Sequence, residues 1–185
     1  METIATLEGQ IEALDLQISG AMKEHEALLD RMKKAPGISD VSSCDILAEI
    51  GPTLDSFPKD TALVSWSGLC PGNNESAGKR KSGKSPVRKN HLKTIMTEVA
   101  WAAIKKKDSY FKDKYYRLKA RRGAKRAIVA IAHRILLGIY HVIKDGADFR
   151  DLGGNYLTLR NKSQKVSHLR KQTLALGFNL VPQAV

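Results

Sequence analysis

The sequence predicts an all-α fold: a long N-terminal heptad helix of coiled-coil pattern, then a compact multi-helix domain with a helix-hairpin-helix-like unit and a long basic loop. Three observations lead there. Apolar residues recur at steps of three and four along most of the chain, no stretch alternates as a strand would, and Gly or Pro punctuates the chain at helix-length intervals. The 185 residues suffice for one modest core. The expected organisation is a coiled-coil stalk or linker over 1–34, a helical domain over 35–150 and a basic tail over 151–185.

Residues 1–34 carry a stripe at Ile4, Leu7, Ile11, Leu14, Ile18, Ala21, His25, Leu28 and Met32, apolar apart from His25. A seam this narrow can be buried in a dimer or against the chain's own domain, and a homo-oligomer through residues 1–34 is the preferred reading. Glu2, Glu8, Glu12 and Asp15 crowd the first half and Arg31, Lys33 and Lys34 the end, which complements the helix dipole. Gly9 and Gly20 weaken the helix, and His25 reads as a polar register marker rather than a ligand.

Ala35-Pro36-Gly37-Ile38 breaks this helix, and Ser39 or Asp40 can cap the next one, which runs through Val41, Cys44, Ile46, Leu47 and Ile50 to Gly51 as an αL terminator. Helix, Pro36-Gly37-Ile38 turn, helix is the order of a helix-hairpin-helix, a unit that holds the DNA backbone through the N–H groups of its turn. An ordinary helical hairpin has the same order, and both readings stay open. Asp60 is a cap for a short helix over 61–68 in which Leu63, Trp66 and Leu69 look like core anchors.

Beyond the loop, Asn90 caps a helix with Leu92, Ile95, Met96, Val99, Trp101 or Ala100, Ala103 and Ile104 at helical spacing. Asp108 or Ser109 restarts one with Tyr110, Phe111, Tyr115, Leu118 and the run Lys119-Ala120-Arg121-Arg122. Those bases either lie along a phosphate backbone with the tyrosines or form a solvated face with the tyrosines in the core; the second is preferred. Residues 125–144 are the most apolar block and the expected central helix, and the tail reads as a short helix with a frayed end.

The stretch with chemical potential is the loop of residues 70–89, which holds three glycines, two prolines, six Lys or Arg side chains and one acid. Such composition opposes regular structure and suits a phosphate chain, with Lys79, Arg80, Lys81, Lys84, Arg88 and Lys89 as the candidate cations. Ser76, in the open context Glu75-Ser76-Ala77-Gly78, is either a nucleophile or an ordinary loop serine, and the loop as a whole is either a site or a solvated connector. No His or Asp at a local spacing activates Ser76, so a hydrolase triad has no support. Residues 78–85 match the order of a nucleotide-binding phosphate loop, but the motif needs a buried strand before it and a helix opening at its end, and Pro86 follows at once.

Gly51, Phe57, the run from Ala62 through Trp66, Gly68, Leu69 and Pro71, then Glu75-Ser76-Ala77-Gly78-Lys79 and Ser82-Gly83-Lys84 together resemble the C-terminal domain of DEDD insertion-sequence transposases, the bridge-RNA-guided family, over roughly residues 35–152. The resemblance implies that Ser76 is the DNA-joining nucleophile. It also implies that a RuvC-like domain, absent from this chain, holds Mg²⁺ on four acids. The chain alone is then expected to be inactive, with no cofactor or metal ligands of its own. Its expected partners are DNA, guide (bridge) RNA as a second polyanion, the RuvC-like domain and a second copy. One departure is that Arg88-Lys89-Asn90 stands where the family usually has a Lys-Gly-Asn turn.

The totals agree with a polyanionic partner: Lys and Arg number 31 against 19 acids, a net charge of +12. Neither a membrane span of roughly 20 apolar residues nor a secretory leader is recognised, so a cytoplasmic, nucleoid-associated protein is expected. Cys44 and Cys70 lie too far apart for a Cys-x-x-Cys site, and His133 and His141, eight residues apart, make no metal pair. The alternative reading is a non-catalytic helical protein that binds nucleic acid or assembles through its coiled coil.

Overall fold

The structure is a computed structural model that describes residues 2–72, 74–76, 79–82 and 90–181, with the backbone alone given for the two short segments between 74 and 82. It is all-α apart from one small ribbon. The helices are α1 (Glu2–Met22), α2 (Glu26–Lys33), α3 (Asp40–Ile50), α4 (Asp60–Trp66), α5 (His91–Ala103), α6 (Tyr110–Arg122), α7 (Ala124–Asp145) and α8 (Tyr156–Ala175).

The N-terminal heptad region is divided. A single 3₁₀ turn, Lys23–His25, separates α1 from α2, so the seam ends at its one polar member. The two halves have different fates. Residues 3–21 of α1 are all exposed, including Ile4, Leu7, Ile11, Leu14 and Ile18 at between 48% and 61% exposure, while in α2 Met32 is buried in the body and Leu28 is half-buried against its core. The stripe therefore serves two surfaces, and only its second half is covered.

The body is built around α7, as its apolar content predicts. Ala127, Ile128, Ile131, Ala132, Ile135, Leu136, Ile139, Tyr140 and Val142 are buried against α2, α4, α5 and α6. This 22-residue helix is long and apolar enough to cross a membrane, contrary to the expectation that no segment is, but half of its most apolar window is buried inside the fold. Burial in the core explains the composition. Its C-terminal end also ties in remote segments: Tyr140 Oη donates to the Phe57 carbonyl at 3.2 Å, and Arg31 Nη1 donates to the carbonyl of Gly146, just after the helix, at 3.0 Å.

The local signals are obeyed with small corrections. Ser39 caps α3 through a reciprocal capping box with Ser42, and Asn90 caps α5 by accepting from the Lys93 amide at 3.2 Å. Ser109 caps α6 in the same way, accepting from Phe111 N. Gly51 ends α3 with φ +76° but ψ 160°, an extended mirror-image conformation rather than the αL one expected, and one that only glycine adopts readily. Asp60 is the first residue of α4 rather than its cap. Trp66 is not the core anchor expected: it is 38% exposed and lies against Phe57, with ring centroids 5.2 Å apart, because Leu63, Val64 and Leu69 already fill the inward side of this short helix.

Two further expectations change. The tail forms a 20-residue helix rather than a short frayed one; it contains no Gly, Pro or acid, so nothing in it interrupts a helix. The basic loop, expected to lack regular structure, contains an antiparallel pair, β1 (Asn74–Ser76) and β2 (Lys79–Ser82). Two residues, Ala77-Gly78, separate the strands in sequence, the shortest common hairpin spacing and one that favours glycine.

Candidate functional site

The hairpin changes what the loop can do. Its register places Ser76 directly opposite Lys79 and Glu75 opposite Arg80, then shifts so that Asn74 faces Ser82. The shift leaves Lys81 as the extra residue on β2, a bulge that increases local twist. Ser76 thus ends β1 at the closed end of the ribbon, and three successive bases, Lys79, Arg80 and Lys81, run back from it along β2. The pairing brings the backbone of a hydroxyl-bearing residue beside that of a cationic strand. Lys84, Arg88 and Lys89, the other candidate cations, lie outside the described residues, as do Ala77, Gly78 and Gly83.

Both ends of this segment are anchored to the body. Leu69 is fully buried before it, and Cys70 is half-buried with its thiol pushed up by desolvation, so it is a packed, protonated thiol rather than a reactive one. After it, Asn90 both caps α5 and donates from Nδ2 to the Trp66 carbonyl at 3.2 Å. One side chain therefore ties the exit of the segment to the helix that precedes its entry. Lys89 stands directly before this asparagine, and the cap is formed.

The Pro36-Gly37-Ile38 turn has a different environment. Pro36 and Ile38 are buried, and Gly37, at φ +86°, lies so close to α5 that an added β-carbon would meet the Val99 carbonyl oxygen and stand 2.7 Å from the Ala103 nitrogen. The glycine is explained by this close approach of two backbones, with no nucleic acid required.

The tyrosines divide as well. Tyr110 and Tyr115 are buried, in line with the preferred reading of a solvated basic face over a tyrosine core, whereas Tyr116 is 55% exposed beside Lys119. Sequence reasoning missed the role of Asp151. Its Oδ1 accepts from the Tyr110 amide at 3.0 Å and the Gly153 amide at 3.1 Å, closing the start of α6 from a segment 41 residues away. A lone Asp before Gly-Gly suggests an Asx-type turn, but nothing local announces the remote amide. Among the described residues no group of His, Cys, Asp and Glu is arranged to hold a metal ion, and Glu49, Asp55 and Glu98 do not converge.

Residues 29–116, a little under half of the chain, match a family model described as the Transposase IS116/IS110/IS902 family. No curated protein matches the chain. The matched span runs from within α2 to the middle of α6 and takes in Ser76 and all six loop cations. It supports the transposase family and a transposase-related role, with DNA as the partner that role implies. It begins a little earlier than the resemblance read from motifs and ends before α7, so the central core helix, α1 and α8 lie outside it.

Proposed function

We propose that this chain is the serine-bearing C-terminal part of an insertion-sequence transposase that cleaves and joins DNA together with a separate RuvC-like domain. The observation that carries the reading is the ribbon inside the matched span, with Ser76 at its closed end and Lys79, Arg80 and Lys81 on the adjoining strand. The Ser76 hydroxyl gives up its proton and attacks the scissile phosphorus. A phosphoseryl bond forms as the phosphorus–oxygen bond to one strand end breaks, and that departing sugar oxygen takes up a proton. A hydroxyl of the second strand then displaces the serine, so one phosphodiester is exchanged for another without net hydrolysis. The cations bind the bridging strand and offset the charge that gathers on the phosphoryl oxygens.

Among the described residues the acids form no group that would hold the Mg²⁺ that the reading implies, so in this reading metal and carboxylates belong to the RuvC-like partner, and this chain alone cuts nothing. DNA is the substrate, and guide RNA is the second polyanion the same cations suit. A second copy joins through α1, whose uncovered seam gives the pairing its physical reason. The deciding experiment is strand exchange by the chain joined to its acidic partner domain, comparing the native chain with Ser76→Ala. Exchange should vanish while DNA affinity stays unchanged; exchange that persists overturns the assignment of Ser76.

A further inference from the structure

A second cationic surface lies outside both the loop and the matched span, at the elbow where α6 turns into α7. Lys119, Arg121, Arg122, Lys125 and Arg126 are all exposed there, five bases within eight residues. No acid occurs in the sequence between Asp113 and Asp145, and among the described residues none of the five makes an ion pair. Their placement suits only one of the two helices. At the end of α6 the dipole welcomes bases, but Lys125 and Arg126 occupy the first turn of α7, where it opposes them, and no acid or side-chain cap relieves that end. Charges that work against their own helix need another explanation.

The shape of the elbow permits close approach. Gly123 turns the chain at φ +78°, and a β-carbon added to it would meet nothing within 4 Å, so its glycine answers to the backbone angle while the space outside stays open. Exposed Tyr116 lies one turn back, with Lys119 Nζ 5.8 Å from its ring centroid. No large aliphatic side chain is exposed between Tyr116 and Leu152, so there is nothing for an anionic membrane to take up.

We infer that the Lys119–Arg126 elbow is a contact surface for the phosphate backbone of nucleic acid, separate from the ribbon that carries Ser76. It extends the proposed DNA-joining role by a second point of grip, while its evidence is independent of the chemistry assigned to the serine.

The test uses the full chain and a fluorescently labelled DNA duplex, with binding followed by anisotropy across a salt series. Neutralising Arg121, Arg122, Lys125 and Arg126 together to Ala should weaken binding roughly tenfold or more and lower the slope of log affinity against log salt by about 0.9 for each phosphate that the elbow no longer neutralises. Replacing Lys162, Lys165, Arg170 and Lys171 of α8 with Ala removes the same charge and should have the smaller effect. Arg121→Lys with Arg122→Lys should retain binding. Circular dichroism and the thermal midpoint establish that each variant is folded. An unchanged slope in the elbow variant, or an equal loss in the α8 variant, overturns the inference. So does elbow-dependent binding to phosphatidylserine vesicles with no effect on the duplex. Ser76→Ala leaves this readout unmoved, so the two proposals fail separately.

Discussion

Gly37 and Ala103 are in backbone contact across the α2–α3 turn: a β-carbon on Gly37 would stand 2.7 Å from the Ala103 nitrogen, and nearer still to the Val99 carbonyl oxygen. Both obstacles belong to the main chain of α5 and cannot swing aside, and the φ of +86° disfavours any side chain independently. Gly37→Ala should therefore destabilise the fold by about 2–4 kcal/mol, combining strain at positive φ with overpacking. A urea titration reads this directly. An unchanged midpoint would mean that the turn is not seated on α5, and would reopen its use as a phosphate-binding hairpin.

Asp151 holds the first turn of α6 from outside the helix. Asp151→Ala removes the acceptor of the Tyr110 and Gly153 amides and should cost about 1–2 kcal/mol, as loss of a helix cap does. Asp151→Asn keeps an acceptor oxygen and loses only the charge that favours a helix N-terminus, so it should recover most of that loss. The two variants compared by thermal denaturation separate hydrogen bonding from charge; equal losses would leave the dipole as the main contribution.

What was legible in the sequence was what lies close in sequence. Ser39, Asn90 and Ser109 cap the helices they precede, and the apolar block around Ile131 and Leu136 is the core helix, because capping and helical periodicity act within a few residues. The remote relationships were hidden. Gly37 reads as a turn glycine, and only the position of α5 shows why nothing larger fits. Trp66 looks like an anchor by size, yet Leu63 and Val64 occupy the inward positions of a helix only seven residues long. The ribbon is masked by composition: the glycines and lysines of 70–89 oppose regular structure, while the two-residue spacing of Ser76 and Lys79 suits a hairpin. At the candidate site, motif and charge single out Ser76 and the cations as candidates, and their register across the two strands is not legible in either.

His133 should make the fold sensitive to mild acid. Burial is the main cause that lowers its pKa below the usual value, the Arg134 guanidinium adds to this, and Asp60 opposes both. The folded state thus prefers the neutral ring. As pH falls below about 6.5 the unfolded chain takes up a proton first, and stability declines until the depressed folded value is passed. His133→Gln should remove that part of the pH dependence, seen as a smaller loss of urea midpoint between pH 7 and pH 5. The same loss in both proteins would assign the effect to other groups. Asp40 acts at lower pH: hydrogen bonding to Lys33 lowers its pKa, so its small contribution is present above the usual carboxylate range and is lost as pH falls through the folded value.

The exposed seam of α1 leads to a prediction about assembly that does not depend on DNA. Ile4, Ile11 and Ile18 alternate with Leu7 and Leu14 at steps of three and four, and all five are exposed. With isoleucine at a and leucine three residues on at d, the seam has the pattern that favours two strands in a parallel coil. Most helical stability in proteins comes from packing of the apolar face, and α1 carries two helix-weakening glycines, so it should gain much of its helicity where a second copy covers it. Ile11→Asp with Leu14→Asp buries two carboxylates in the middle of that seam and should yield a monomer by sedimentation equilibrium. Far-ultraviolet circular dichroism should fall by roughly the share contributed by α1, while the urea midpoint of the body stays in place, because residues 3–21 bury nothing against it. A variant that remains dimeric would place the interface elsewhere; a body that unfolds with it would show that α1 packs on its own domain.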